Sequence, residues 1–240
     1  MSTTGELGRF KDIHKGQRGF IIACGPSLKD IDLSLLNEEI VLGTSLAYKS
    51  GVKLDYSFMG DKKIASQFWK DMFYLPFHLF VSRSIMLTYF LDRPRTYYFS
   101  GSQTKKFHTD LSSGVLHGGG TSTFLAMQLA YWMGLDTVYV VGLDHYKSFS
   151  EKKIKAKETG RKNLSGQPLV TATGKDNHHF SKDYYGKGTE YFLPTVGKME
   201  ASYNLARLAF ESDGRKICNA STITALSEDV LPRVTFQDII

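Results

Sequence analysis

Cysteine is nearly absent from this sequence of 240 residues: only Cys24 and Cys218 occur, far apart and outside any metal-ligand spacing. That excludes a disulfide framework or a structural zinc site and leads us to expect buried free thiols in a reducing compartment. Long apolar runs are missing too. The most extended, around "YLPFHLF", is broken by Pro76 and His78, well short of the ~20 residues a membrane span needs. The N-terminus shows no charged, then apolar, then small leader, so a cytoplasmic protein is expected, working there or at the inner face of a membrane. Internal repeats and low-complexity tracts are absent. So are a Gly-x-Ser-x-Gly elbow and a His-Glu-x-x-His pair, which leaves serine-hydrolase and zinc-protease chemistry without support.

What is present begins with charge. Lysine and arginine outnumber aspartate and glutamate 30 to 24, a formal net charge of +6, which suggests an anionic partner. Much of the excess lies in "KSFSEKKIKAKETGRK", 147–162, a stretch with little apolar periodicity that reads as a solvated loop. Because it carries no interleaved stacking aromatics, nucleic acid is not an expected partner. Peripheral contact with a membrane remains compatible with the charge, and assembly into a homo-oligomer is expected.

Short apolar runs alternate with helical stretches. Residues 19–23, 39–45, 55–60, 78–82, 96–100, 136–142 and 216–220 read as strands, several apolar on successive residues as in strands covered on both faces. Ser27–Leu36, Lys62–Met72, Thr121–Met133 and Thr195–Glu211 read as helices; in the last, Val196, Met199, Tyr203, Ala206 and Phe210 recur at three- and four-residue steps. This alternation predicts an α/β, Rossmann-like fold with a mostly parallel sheet and helices on both faces. We divide the chain into an N-terminal extension, 1–18, and a single nucleotide-binding catalytic domain, 19–240. The polar segment at about 147–188 is expected to be a lid-like insertion, ordered in part by ligand.

A doubly wound sheet binds ligands beyond the carboxyl ends of its strands, and the strand ends here are chemically equipped. "FIIACGPSLKDID" runs a strand into Gly25, Pro26 and Ser27: a glycine for close backbone approach, a proline suited to a first helical position, and a hydroxyl. "HGGGTSTF" places Gly118, Gly119 and Gly120 before Thr121 and Ser122 at a helix start. One hydroxyl serves as a cap, but three glycines exceed what a cap needs. No lysine follows them, so this is not the nucleoside-triphosphate P-loop. Ser45, Asp61 and Asp144 stand at three further strand ends. Either aspartate could hold a ribose hydroxyl, a base edge or a metal ion, and either could simply cap a helix. In the lid, "KDNHHFSKDYYGKG" groups Asp176, His178, His179, Asp183, Tyr184 and Tyr185. A histidine there could deprotonate a hydroxyl. The His-His pair lacks a third ligand at standard spacing, so no metal site is assigned.

"IIACGPSLKDID", "GGGTSTFLAMQLAYWMGLDTVYVVGLDHY" and "DNHHF", in this order, resemble two related families. One is the bacterial sialyltransferases that cap lipo-oligosaccharides from cytidine-monophosphate-activated sialic acid. The other is the 6-hydroxymethylpterin diphosphokinase MptE-like superfamily, which includes flagellin glycosyltransferases for nonulosonic acids. The resemblance implies that Gly25, Pro26 and Ser27 line a phosphate pocket and that Thr121, Ser122 and Asp144 contact nucleotide. It also implies that Tyr146 stabilises the departing phosphate. Ser45 falls where the sialyltransferases keep an asparagine, as does Cys24, and Asp61 follows the MptE-like pattern. His179 matches a histidine just before the family base, and Asp183 lies near the base position itself.

Two enzymatic expectations follow. The first is a glycosyltransferase moving a sugar, such as a sialic-acid-like nonulosonate, from a nucleotide-activated donor to a hydroxyl of a glycan or protein, with no cofactor. The second is a diphosphokinase moving pyrophosphate from ATP to a hydroxymethyl group, with Mg2+ held by Asp61 and Asp144. A binding module without turnover is the non-enzymatic reading.

Overall fold

The computed structural model describes residues 6–89, 94–102, 104–145, 156–163, 166–182 and 184–240. Eight parallel strands form the main sheet: β1 (Arg18–Ile22), β2 (Ile40–Thr44), β3 (Tyr56–Met59), β4 (His78–Ser82), β5 (Thr96–Gly101), β6 (Val115–Leu116), β7 (Thr137–Val141) and β11 (Lys216–Asn219). Their order is β11-β7-β1-β2-β3-β4-β5-β6. From β1 the chain therefore winds outward to β6, then returns to β1's other side as β7. The reversal places a crevice between β1 and β7, where α/β sheets bind ligands.

Alternate side chains of the strands feed two cores, one on each face. Ile21, Leu42, Phe58, Phe80 and Val140 pack with α3 (Ser122–Trp132) and α4 (Val196–Ser212). Phe20, Ile22, Val41, Met59, Val81 and Val141 pack with α1 (Lys62–Phe73) and α2 (Arg83–Tyr89). Burial on both faces explains the unbroken apolar strand sequences. The fold is thus the α/β, Rossmann-like, parallel-sheet architecture that the sequence predicts. Among the described residues no helix is long and apolar enough to cross a membrane.

Local chemistry sets the helix ends. Asp61 caps α1, accepting from Lys63 N–H (2.7 Å) and Ile64 N–H (3.2 Å), an arrangement worth about 1 kcal/mol. Thr121 caps α3 through Thr123 N–H at 3.2 Å, and Gly134, at φ 80°, ends it in the left-handed conformation. α3 is apolar nearly all round and almost wholly buried, being enclosed between sheet and α4.

Three boundaries differ from the sequence reading. The helix expected over Ser27–Leu36 is instead two short 3-10 turns, Pro26–Asp30 and Leu33–Leu36, separated where Asp32 bonds Ser34 and restarts the chain. Residues 6–16 are not an extension apart from the domain: Leu7 and Phe10 are buried in the α3-side core, and Leu7 C=O accepts from Trp132 Nε1–H at 2.7 Å. The described part of the lid contains secondary structure of its own. β8 (Ala156–Lys162), β9 (Pro168–Ala172) and β10 (Glu190–Phe192) form an antiparallel sheet in the order β10-β9-β8. A register irregularity between Glu158 and Lys162 interrupts the β8 pattern and hides the strand from periodicity.

Candidate functional site

The ends of β1, β2, β3 and β7, the start of α3 and the residues His178, His179, Tyr184 and Tyr185 enclose a cleft of about 750 Å³. This is within the size range of small-molecule sites. The first polar turn and the glycine turn open onto this one cleft: Gly25 lines it, and so do Gly118, Gly120, Thr121 and Ser122. Ser45, Asp61, Asp144, His178 and His179 line it as well. Tyr146 and Asp183 lie outside the described residues. Pro26, Ser27 and Gly119 stand outside the lining.

At the β1–β7 crevice the chain is stapled. Gly25 N–H donates to Gly142 C=O at 2.8 Å. Ser27 gives its N–H to Asp144 Oδ2 (2.7 Å) and its hydroxyl to Asp144 Oδ1. The donor group that a phosphate would use in this turn is therefore already bonded to a carboxylate, and the turn is too short to act as a helix N-terminus for anions. Gly25 is required by packing: a Cβ there would sit 2.4 Å from Gly142 O and 2.5 Å from Asp144 Oδ2. Burial pushes the Asp144 carboxyl above its ordinary range, with the Ser27 hydrogen bonds opposing. Asp61 is displaced the same way, again by burial.

The glycine turn divides its labour. Gly119, at φ 59°, packs against Phe124 and Ser202, so that a Cβ would lie 2.4 Å from the Phe124 ring and 2.8 Å from Ser202 Oγ. Gly118 is different: a Cβ there meets no protein atom within 4 Å, leaving backbone bare toward the cleft. Gln128, wholly buried in α3, fixes the approach to the turn by donating to His117 C=O (2.8 Å) and accepting from His117 N–H (3.2 Å). Sequence reading passed over Gln128, whose only signal is an amide in an otherwise apolar helix.

Across the cleft stands a pair that spacing alone did not single out. His179 Nδ1–H donates to Asp176 Oδ2 at 2.7 Å, and its ring lies on Tyr184 with centroids 3.7 Å apart and planes 3° from parallel. Asp176 also accepts from the N–H groups of His178 (2.7 Å), His179 (3.2 Å) and Tyr185 (3.2 Å). Burial would raise the Asp176 carboxyl, but the His179 hydrogen bond and charge, joined by the backbone donors, outweigh it and hold it below the ordinary range. Burial lowers His178. The segment is fixed to the rim by Phe180 N–H donating to Cys24 C=O at 2.9 Å. Cys24 itself is buried, its thiol bonded to Thr44 C=O (3.2 Å) and pushed up to about 12 by desolvation, which makes it inert as a nucleophile. Cys218 is also free but only half-buried.

Two rim residues other than glycine adopt left-handed backbone: Ser45 at φ 50° and His145 at φ 46°, a conformation that clusters at functional sites. Ser45 Oγ–H donates to Ser122 Oγ at 3.3 Å, joining the β2 end to α3. His145 Nε2–H donates to Glu200 Oε1 of α4 at 3.1 Å, and burial lowers its ring below the ordinary histidine value. Neither Glu200 nor α4 had been connected to the site from sequence.

Chemically, the cleft combines open backbone at a helix start, hydroxyls, the buried carboxylate of Asp144, the partly buried one of Asp61 and a carboxylate-oriented imidazole. With Nδ1–H committed to Asp176, the basic lone pair of His179 lies on Nε2, the arrangement of a general base held in one tautomer. No protein-family model and no curated protein matches this sequence, so the site is argued from its own geometry.

Proposed function

We propose that the protein is a glycosyltransferase that moves a sugar from a nucleotide-activated donor, such as a cytidine-monophosphate-linked nonulosonate, to an acceptor hydroxyl. The observation that carries this reading is the Asp176–His179 pair beside a glycine turn in a single cleft. The donor phosphate lies against Gly118 and Gly120 at the positive end of α3. Asp61 or Asp144 accepts donor hydroxyls. His179 Nε2 takes the acceptor proton as the acceptor oxygen bonds the anomeric carbon. The bond from that carbon to the phosphate oxygen breaks, its electron pair departing on the nucleotide. Tyr184, stacked on His179, and the Phe180–Cys24 hydrogen bond hold the imidazole in place; positioning and charge stabilisation supply most of the rate.

Pyrophosphate transfer from ATP is the second reading, and the carboxylates favour it less. Both oxygens of Asp144 are bonded to Ser27, and one oxygen of Asp61 accepts two backbone N–H groups. A magnesium ion would have to compete with these bonds.

The test is incubation with a panel of nucleotide sugars and with ATP plus magnesium, reading released nucleotide. Release from a nucleotide sugar, abolished in His179→Ala, is the expected result. Magnesium-dependent consumption of ATP with no sugar donor used would replace it with the second reading. A thermal shift on nucleotide binding without any turnover would leave a binding module.

A further inference from the structure

Sugar transfer, as proposed above, leaves one wall of the cleft without a role. Lys62 and Lys63 of α1, Tyr89 of α2, Phe192 of β10 and Gln167, just before β9, line the same cavity as the glycine turn. His179 lines this cavity together with Asp144 at the β1–β7 crevice and Asp61 at the head of α1. The base thus shares one cavity with both the glycine turn and the lysine-bearing helix. At the glycine turn the methylenes of Lys198 pack 3.6–3.8 Å from where a Gly120 Cβ would be.

The lysines of α1 are poorly placed for stability. They occupy the first turn of a helix, whose dipole disfavours cations there, and that turn contains no acid of its own beyond the Asp61 cap. Lys63 Nζ pairs with Glu190 at 2.9 Å, but Glu190 is shared with Arg161. Lys62 is exposed and has no carboxylate partner among the described residues. One carboxylate thus serves two cations, and a third is left over. Beside them Phe192 and Tyr89 supply apolar ring surface, against which the C–H face of a sugar ring can bury.

We propose that the acceptor is an anionic saccharide, bearing a carboxylate or a phosphate. Its charged group sits at Lys62 and Lys63, its ring lies against Phe192, and its hydroxyl is directed to His179. The inference depends on sugar transfer only for the word acceptor; the binding preference can be measured separately.

Calorimetry compares three disaccharides that differ in the terminal unit: glucose, glucuronic acid and glucose 6-phosphate. Each is titrated with and without cytidine monophosphate. The expected result is that at least one acidic form binds about tenfold more tightly than the neutral one, with an advantage that shrinks as salt is added. The better of the two identifies the charged group. Lys62→Gln with Lys63→Gln should remove the advantage, whereas Phe192→Ala should weaken all three alike. Equal affinities, no binding of either acid, or an advantage that survives the double substitution overturns the proposal. If the double variant does not fold, Lys62→Gln alone decides, since it breaks no ion pair; an undiminished advantage there overturns the proposal too. Nucleotide-sugar turnover without acid preference sinks this inference and leaves sugar transfer standing. Acid preference in a chain that turns over no nucleotide sugar supports the binding site and removes the transfer reading.

Discussion

The two sides of the cleft are built by different means. The rim on the parallel sheet is held by backbone: β1 and β7 meet through Gly25 and Gly142, and a missing side chain at Gly25 makes the contact possible. On the opposite side the described residues of 176–185 have no regular secondary structure and are organised around one carboxylate, Asp176, with three backbone donors and an imidazole. The carboxylates on the two sides respond oppositely, Asp61 and Asp144 displaced upward by burial, Asp176 downward because its hydrogen bonds outweigh burial. The platform thus carries carboxylates whose burial disfavours charge, and the side-chain-wired segment carries one whose hydrogen bonds favour it.

The difference can be broken on either side. Turnover should fall most steeply in His179→Ala, by about 10²–10⁴-fold, the usual contribution of a positioned base. Asp176→Asn should lose less and should also alter the pH profile of the remaining activity. On the rim, Gly25→Ala forces a Cβ onto backbone and is expected to cost about 3 kcal/mol in denaturant unfolding, with the cleft distorted as a consequence.

Acid titration of stability sharpens the contrast. The Asp176 contribution is complete above the unfolded carboxylate value near pH 4 and is lost as pH falls through its lower folded value. Asp144, displaced upward, contributes below the unfolded value and loses that contribution as pH rises through the folded one. Chemical unfolding across pH should therefore show Asp176→Asn flattening the limb below pH 4 and Asp144→Asn flattening the decline above it. The smallest structural change is Gly118→Ala. Stability should hold within about 0.5 kcal/mol, since the new methyl meets open space. Nucleotide affinity should nonetheless drop by about tenfold, 1.4 kcal/mol, if a ligand lies flat on that backbone. Unchanged affinity would move the ligand elsewhere in the cleft.

The same asymmetry explains what could be seen in the sequence. All seven strands expected from apolar runs are present within a residue or two, because strands covered on both faces declare themselves by composition alone. Short β6 and α2 left too little pattern to detect. Convergence of Gly25, Gly118, Thr121 and Asp144 was legible because a parallel sheet puts its carboxyl ends on one edge. That Ser27 would spend its donors on Asp144 was not, since it requires knowing which strands adjoin. In the lid, β8 reads AKETGRK and is exposed along most of its length, so nothing in its hydropathy marks a strand. The Asp176–His179 pair was visible as a cluster but not as a bond, because a three-residue separation closes such a contact only in a particular loop conformation.

The Ser27–Asp144 clasp has a temporal consequence. Its members are 117 positions apart, and the strand that leads into Asp144 joins the sheet only after six others have been laid down. A chain growing from its N-terminus therefore owns half of its pocket, with a solvent-facing Ser27, until the seventh strand arrives. Contacts of such high sequence separation form late and slowly. The nucleotide we propose, needing the finished crevice, cannot guide early folding. It can only select completed molecules, so its presence should slow unfolding and leave refolding rates unchanged.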